Sequence, residues 1–219
     1  MGQQRVASPI DGVIVIIDFG SQYTQLIVRR IRELQVFSEV VLPKDFAAYQ
    51  ARHRVMGVIL SGGPQSVVQQ TKIQDHLACL WQQAVSVLGI CYGMQLMAAT
   101  FGGKVVASDQ REYGAAALSF PDASWLQLMQ DDQEASVSVW MSHSDHVHHC
   151  PKDFKVMAST DTIPVAAMMH VSKPWYAVQF HPEVDHTQGG VALLRHFVFE
   201  SCQAKPNWAV ADMLADITT

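Results

Sequence analysis

Apolar runs of strand length alternate with segments of helical period through the first half of the chain. The clearest strand candidate is Val13–Ile17, which is apolar at every position, and the apolar residues between Tyr23 and Leu34 fall on one helix face. A strand that is apolar throughout is typical of a parallel sheet covered on both faces. The alternation therefore predicts βαβ units and an α/β fold.

The same patterns predict the remaining elements. Further strand candidates in the first half are 36–42, 55–60 and 85–90, and helix candidates are 67–84 and 92–100. Short strand candidates dominate after Lys104, and they are 115–120, 136–140, 154–158, 165–171 and 175–180. Helices are expected over 190–200 and 208–217. We expect one three-layer domain, a mostly parallel central sheet flanked by helices, with a smaller β-rich part in the second half.

Composition excludes several classes of protein. The chain has 219 residues, of which 49% are apolar and 16% charged, so it is long and apolar enough to fold around a core. The formal charge is −5 and the sequence has no cluster of basic residues, so it does not indicate a surface that binds nucleic acid. No apolar run approaches the ~20 residues of a membrane span, and no signal peptide begins the chain, so we expect a cytoplasmic protein.

The four cysteines form no C-x-x-C pair, and reduced thiols are expected for Cys79, Cys91, Cys150 and Cys202. Cys91 differs from the others in its surroundings. Gly89-Ile-Cys-Tyr-Gly93 follows a predicted buried strand and opens a predicted helix, which is the context of a strand-to-helix nucleophile turn. The dipole at a helix N-terminus favours a thiolate there. A buried structural cysteine between two packing glycines is the alternative interpretation.

A cysteine nucleophile requires a base and a group that orients the base. His181 lies just after the predicted strand 175–180, and Glu183 follows two residues later across Pro182. Glu183 could hold the imidazole in one tautomer and stabilise the imidazolium, as the acid of a triad does. Taken alone, a His-Pro-Glu sequence at a strand end is more often an ordinary turn.

Acyl transfer also requires hydrogen-bond donors where negative charge develops on the attacked carbonyl. Ser61-Gly-Gly-Pro64 ends the predicted strand 55–60, and its glycines permit close approach of the backbone to a substrate. The N–H groups of Gly63 and Tyr92 are the candidate oxyanion hole. A phosphate-binding loop is the competing interpretation, but the Walker pattern is absent and Pro64 lacks an amide donor.

A group of histidines with one cysteine suggests zinc, because imidazole and thiolate are its usual ligands. Its members are His143, His146, His148, His149 and Cys150. Their side chains would alternate between faces in a strand, and no second ligand pair stands at finger-like spacing. No metal is expected.

Together these segments resemble the class I, or triad, glutamine amidotransferases. The motifs that carry the resemblance are Ser61-Gly-Gly-Pro64, Gly89-Ile-Cys-Tyr-Gly-Met-Gln95 and Gln179-Phe-His-Pro-Glu183. Other segments are similar to one branch of this family, which supplies ammonia for the conversion of XMP to GMP. They are Asp18-Phe-Gly-Ser-Gln-Tyr-Thr-Gln-Leu26, Arg29-Arg-Ile-Arg-Glu-Leu34, Arg111-Glu-Tyr-Gly114, Trp140-Met-Ser-His143 and Glu183-Val-Asp-His-Thr187.

The resemblance implies roles for individual residues. Cys91 would attack the side-chain amide of glutamine, His181 would take and deliver the proton, and Glu183 would support His181. Gln95, Ser142 and His143 match glutamine-binding positions. A γ-glutamyl thioester would release ammonia and then be hydrolysed by water.

The resemblance also implies a partner. In that branch the ammonia passes to a synthetase of the ATP-pyrophosphatase type, which uses ATP and Mg, and its Ser-Gly-Gly-x-Asp-Ser loop is absent here. We expect an amidotransferase domain over 1–203 and a connection to that absent domain over 204–219. No cofactor is expected in this chain itself. The oligomeric state stays open, with homodimerisation through the absent part as one alternative.

Two positions depart from the family pattern. Ser144 replaces the glycine of Met-Ser-His-Gly-Asp, and its Cβ would crowd the backbone if φ were positive there, which would weaken glutamine binding. Gln35 replaces a glycine at a helix end, which suggests a different C-cap. Three functions remain: the amidotransferase described, another triad amidotransferase or γ-glutamyl hydrolase, and a catalytically silent regulatory module.

Overall fold

The computed structural model describes residues 12–67, 72–121, 123–129 and 137–209. Its strands are β1 (Val13–Ile17), β2 (Ser38–Val41), β3 (Val55–Leu60), β4 (Ser86–Ile90), β5 (Lys104–Leu118), β6 (Val137–His149), β7 (Phe154–Ala158), β8 (Ala167–His170) and β9 (Trp175–Val178). Its α-helices are α1 (Thr24–Glu33), α2 (Phe46–Gln50), α3 (Lys72–His76), α4 (Tyr92–Thr100), α5 (Ala123–Met129) and α6 (Gly190–His196). A π-helical turn, Phe197–Ser201, continues α6.

Seven strands form the central sheet in the order β2-β1-β3-β4-β9-β8-β7. The first five strands in this order run parallel, whereas β8 and β7 are antiparallel to their neighbours. The expected mostly parallel sheet is therefore confirmed. In such a sheet the carboxyl ends of the parallel strands share one edge, where α/β proteins place their ligands.

Both faces of this sheet are covered, which explains why its central strands are apolar at every position. Ile14 and Ile16 of β1 pack in one core with Ile27 and Ile31 of α1. The intervening residues Val13, Val15 and Ile17 point into a second core, which includes Met94, Leu96 and Met97 of α4 and Phe46 of α2. Helices on the two faces thus complete three layers.

The smaller β-rich part is an antiparallel pair of long strands, β5 and β6. Their register shifts between Ala107 and Glu112, so that residues 108–111 oppose Ser144 alone. The inward positions of β6 are Val137, Val139, Met141 and His143, which alternate with less buried residues. The sequence predicts a strand over 136–140, whereas β6 continues to His149. Its inward face changes from apolar to polar at His143.

The predicted helix over 67–84 is wrong. In the described part of this range, α3 spans five residues and a 3-10 turn covers Leu80–Gln82. The N–H groups of Leu77, Ala78 and Leu80 bond to carbonyls three residues back, and this tighter spacing ends the α-helix. Of the predicted helix 208–217, Trp208 and Ala209 are not helical, and the rest lies outside the described residues.

Helix α1 ends in a hydrogen-bonded cap. The N–H of Val36 donates to the carbonyl of Ile31, and the N–H of Gln35 donates to that of Arg32. Gln35 has a φ of 61°, so it adopts the left-handed conformation for which this cap favours glycine. The different C-cap expected at Gln35 is therefore not formed.

No helix among the described residues combines the length and the apolar character that crossing a bilayer requires.

Candidate active site

Four chain segments meet at the carboxyl edge of the parallel strands. They follow β1, β3, β4 and β9, and they are residues 18–24, 61–65, 91–95 and 179–183. A cavity of about 300 Å³ opens between them and strand β6. Its lining includes Cys91 and His181, as well as Gly63 and Gln95 of the predicted site.

Cys91 lies in a strained turn between β4 and α4. Its φ is 53° and its ψ is −105°, a backbone conformation that residues other than glycine rarely adopt. A Cβ at Gly93 would lie 2.3 Å from the carbonyl oxygen of Leu60, and one at Gly89 would lie 2.8 Å from that of Gly93. Because neither position tolerates a side chain, the two glycines permit the close contacts of the elbow.

His181 and Glu183 lie together beside Cys91. Nδ1 of His181 is 2.7 Å from Oε1 of Glu183, and both side chains are buried. Cys91 and His181 both line the cavity, and the Cys91 side chain contributes to the electrostatic environment of the imidazole. Burial alone would lower the pKa of His181, but the hydrogen bonds and negative charges of Cys91 and Glu183 raise it to about 10. His181 is therefore held in its protonated, imidazolium form at neutral pH, beside the Cys91 side chain.

The N–H groups of Gly63 and Tyr92 donate no hydrogen bond within the described part of the chain. A Cβ at Gly63 would lie 2.9 Å from the carbonyl oxygen of Phe19, so only glycine fits there. A Cβ at Gly62 would be 3.3 Å from Cε1 of His181, which shows how closely this loop approaches the imidazole. Gly63 lines the same cavity as Cys91, and Tyr92 is the residue that follows Cys91 in the elbow.

The predicted glutamine-binding residues all line the cavity. Gln95 is buried, and its Nε2 donates to the carbonyl of Asp145 at 2.6 Å. The sulfur of Cys91 lies 3.8 Å from the carbonyl oxygen of Ser142. Gln95 therefore attaches the elbow helix to β6, and the backbone of β6 forms the wall opposite the sulfur.

His143 is buried in the same wall, with Nε2 3.2 Å from Oε2 of Glu112. Neither atom has a hydrogen-bond partner among the described residues, so the contact is poorly aligned. Burial, followed by the charges of His146 and His181, lowers the pKa of His143 to about 4, and burial raises the pKa of Glu112. His143 is therefore neutral at pH 7, and the two side chains do not form an ion pair.

Three residues at the site were given no role from the sequence. Nε2 of Gln179 lies 3.7 Å from the sulfur of Cys91, the ring of Tyr23 lies 4.9 Å from that of His181, and Asp145 accepts a hydrogen bond from Ser66. Gln179 and Tyr23 belong to motifs that carry the family resemblance, and this membership could have identified them as residues of the site. Asp145 ends the Met-Ser-His-Gly-Asp pattern, but its contacts could not be predicted, because its partners are 50 and 79 residues away.

Two expectations for β6 can be compared with the structure. Ser144 is not among the residues with positive φ, so the expected crowding of the backbone at this position does not arise. Among the described residues, no group of three or more His, Cys, Asp or Glu side chains could hold a metal ion.

Comparison with known proteins gives consistent matches. The family model for glutamine amidotransferase class-I matches residues 15–201. The chain is 47% identical over 199 residues to the glutamine-hydrolysing GMP synthase of Thermosynechococcus vestitus, covering 91% of this chain and 36% of the relative. It is 46% identical over 215 residues to that of Stenotrophomonas maltophilia, covering 94% of this chain and 40% of the relative. The chain thus spans about two fifths of the length of these relatives.

Solved structures agree with the sequence matches. One GMP synthase subunit, from Thermoplasma acidophilum, superposes with a TM-score of 0.77 at 28% identity, covering 95% of this chain and 98% of that one. A glutamine amidotransferase from Thermotoga maritima shares the fold, with a TM-score of 0.62 at 14% identity, covering 90% of this chain and 87% of that one.

Proposed function

Because the chain belongs to the class-I glutamine amidotransferase family, we propose that it hydrolyses glutamine to glutamate and ammonia and supplies the ammonia for GMP synthesis. The observation that carries the proposal is that Cys91 and His181 line one cavity, while the buried carboxylate of Glu183 contacts Nδ1 of His181. A nucleophile, a base and an orienting acid in this order are the parts of a cysteine-based acyl transfer.

The first half of the reaction forms a thioester. The Cys91 thiolate attacks the side-chain amide carbon of glutamine, and the negative charge on the amide oxygen is stabilised by the N–H groups of Gly63 and Tyr92. His181, as imidazolium, donates its proton to the amide nitrogen as the C–N bond breaks. Ammonia leaves, and the γ-glutamyl group stays on the sulfur.

The second half regenerates the thiolate. His181 is now neutral and takes a proton from a water molecule that attacks the thioester carbon. The C–S bond then breaks, glutamate leaves, and His181 with its proton again faces the Cys91 thiolate. Through both halves Glu183 holds the imidazole orientation by its hydrogen bond to Nδ1.

The destination of the ammonia is a further part of the proposal. Relatives named GMP synthase extend well beyond the length of this chain, and the Thermoplasma acidophilum subunit is a separate chain of similar length. We propose that the partner is a synthetase, either a domain or a subunit, which would use ATP and Mg to activate XMP for attack by ammonia. This chain would itself require no cofactor.

Replacement of Cys91 by Ala tests the proposed function. We expect the full-length chain to release ammonia from glutamine slowly, since a partner can set the rate, and the Cys91→Ala variant to release none. Coupled detection of glutamate and ammonia measures both products. Cys79→Ala is the matched control, because this thiol is half-buried and lies outside the cavity.

A test with external ammonia distinguishes the loss of glutamine hydrolysis from a loss of the folded structure. Once a synthetase partner is added, the Cys91→Ala variant should still support GMP formation from ammonium, but not from glutamine. Glutaminase activity retained by the Cys91→Ala variant would end the proposed mechanism.

A further inference from the structure

The turn that carries His181 and Glu183 is fixed to the body of the protein at two places. On one side, the hydroxyl of Thr187 donates to the carbonyl of His181 at 2.6 Å and accepts from the N–H of Trp140 at 3.0 Å. The N–H of His181 also donates to the carbonyl of Trp140. These bonds attach the histidine end of the turn to β6.

On the other side, Arg30 of helix α1 holds the acid end of the turn. Its Nε donates to the backbone carbonyl of Glu183 at 3.0 Å, and its Nη2 donates to the carboxylate of Asp185. Nη1 donates to Glu33 one turn further along the helix, at 3.1 Å. The Arg30 side chain is only 17% exposed, whereas that of its neighbour Arg29 is 73% exposed.

The carboxylate of Glu183 has few constraints of its own. The side chain is fully buried, Oε1 contacts His181, and Oε2 has no hydrogen-bond partner among the described residues. The position of the carboxylate therefore depends on the backbone from which it extends. Arg30 bonds to that backbone at the carbonyl of Glu183 itself.

We propose that Arg30 is a positioning residue for the triad: by binding the Glu183 carbonyl and Asp185, it keeps the carboxylate of Glu183 aligned with His181. This inference rests on the proposed function. A guanidinium suits the task because its planar fork presents several donors in fixed directions, which an ammonium group does not. The hydrogen bonds of the Arg30 side chain reach the turn and Glu33 and not the cavity lining, so Arg30 acts on His181 through Glu183.

The expected consequence concerns His181. The titratable groups around its ring are Cys91 of the elbow, Glu183 on its own turn, His143 of β6 and Tyr23 from the loop after β1. Glu183 contributes to the raised pKa of His181 through a hydrogen bond and its charge. Loss of this alignment lowers the pKa of His181, so that the imidazolium is lost at a lower pH.

The test compares Arg30→Ala with Arg29→Ala in the full chain. Arg29 is the matched control because it also pairs with Glu33, at 2.9 Å, but does not contact the turn. For Arg30→Ala we expect kcat for glutamine to fall about 10-fold with KM changed less than about 2-fold, as for a displaced catalytic group. The alkaline limb of its kcat/KM profile should move to lower pH. Arg30→Lys should recover only part of kcat, and Arg29→Ala should match the wild type.

A second readout needs no glutaminase activity. Alkylation of Cys91 by iodoacetamide, followed by peptide mass mapping across pH, reports how the protonation of the imidazole changes the reactivity of this sulfur. The alkaline change in this profile should move to lower pH in Arg30→Ala and stay in place in Arg29→Ala. If the wild type hydrolyses no glutamine, the proposed function fails, whereas the alkylation profiles still decide the role of Arg30.

The exposed carboxylate of Asp185 offers a second variant if Arg30→Ala does not fold. Its side chain is 88% exposed, so Asp185→Ala leaves the core intact while removing one of the two bonds between Arg30 and the turn. We expect a smaller change in the same direction. Identical kcat values and pH profiles for Arg30→Ala and Arg29→Ala would overturn the inference, as would an effect confined to KM.

Discussion

Cys91 and Gln35 both have positive φ, 53° and 61° respectively. This region costs an L-residue about 1–2 kcal/mol relative to the right-handed conformation. At Cys91 the strain belongs to an elbow that directs the sulfur into the cavity, which is where such strain is commonly retained. At Gln35 the strain belongs to the cap of α1, where the Gln35 carbonyl also accepts from the N–H groups of Asn207 and Trp208, and the Gln35 side chain makes no hydrogen bond among the described residues.

Gln35→Gly should therefore stabilise the protein. Glycine adopts the left-handed conformation without steric cost, and the two cap hydrogen bonds are made by the backbone. We expect the free energy of unfolding to rise by about 0.5–1 kcal/mol, measured by urea denaturation. The control is Gln83→Gly, since Gln83 is exposed and has a φ of −100°. That change should destabilise, and a loss of stability in Gln35→Gly as well would contradict the argument.

The residues of the site differ in how far the sequence could identify them. Cys91, His181 and Glu183 stand in short motifs whose spacing and flanking glycines indicate their chemistry, and their roles stay predictions until tested. Arg30 also stands in a quoted motif, Arg29–Leu34, but its role could not be predicted from it, because its partner Glu183 is 153 residues away and the bond is to a backbone carbonyl. Such a contact depends on how α1 and the turn after β9 pack, which no local pattern records.

At the scale of elements, the predictions succeeded where one periodicity ran between clear breaks. The bounds of β1, β3, α4 and β7 match the predicted ranges, because each is an apolar run or helix ended by polar or glycine residues. The predicted strand 136–140 is shorter than β6. The alternation of buried and less buried positions in β6 continues beyond its apolar residues to His143, which lies in the site. The predicted helix over 67–84 was wrong because the described part of this range contains consecutive turns whose hydrogen bonds join residues three apart. Such turns, unlike an α-helix, do not produce a distinct period of apolar residues in the sequence.

The segment after the π-helical turn packs on the domain although it has no regular secondary structure. Asn207 accepts from the N–H of Phe37 at 2.8 Å, donates to the carbonyl of Gly12 at 2.9 Å, and its own N–H bonds to Gln35. The ring of Trp208 lies 4.9 Å from that of Phe37. These contacts join the end of the described chain to the ends of β1 and α1.

Asn207→Ala tests whether this segment stabilises the domain. The substitution removes both side-chain hydrogen bonds and leaves their backbone partners unsatisfied, which should lower the free energy of unfolding by about 1–3 kcal/mol. Thermal and urea unfolding of the full chain measure the loss. Lys205→Ala is the control, because Lys205 lies in the same segment and is exposed. Equal stability of the two variants would show that residues 204–208 contribute little.

At the scale of the whole molecule, the sheet is what assembles the site. The four segments of the cavity lie far apart in sequence, and parallel pairing of β1, β3, β4 and β9 brings their carboxyl ends to one edge. The backbone of β6 then closes the cavity, with the carbonyl of Ser142 beside the sulfur of Cys91 and the carbonyl of Asp145 bonded to Gln95. We propose that this assembly makes Cys91 a nucleophile toward a glutamine side chain.

The most direct test uses a glutamine analogue in which a diazoketone replaces the side-chain amide. A nucleophilic thiol in a glutamine pocket displaces nitrogen from this group and stays covalently attached, so peptide mass mapping identifies the labelled residue. We expect one label per chain, on Cys91, which excess glutamine prevents and which is absent from Cys91→Ala. Labelling of Cys79, Cys150 or Cys202 at the same rate, or no label on Cys91, would contradict the proposal.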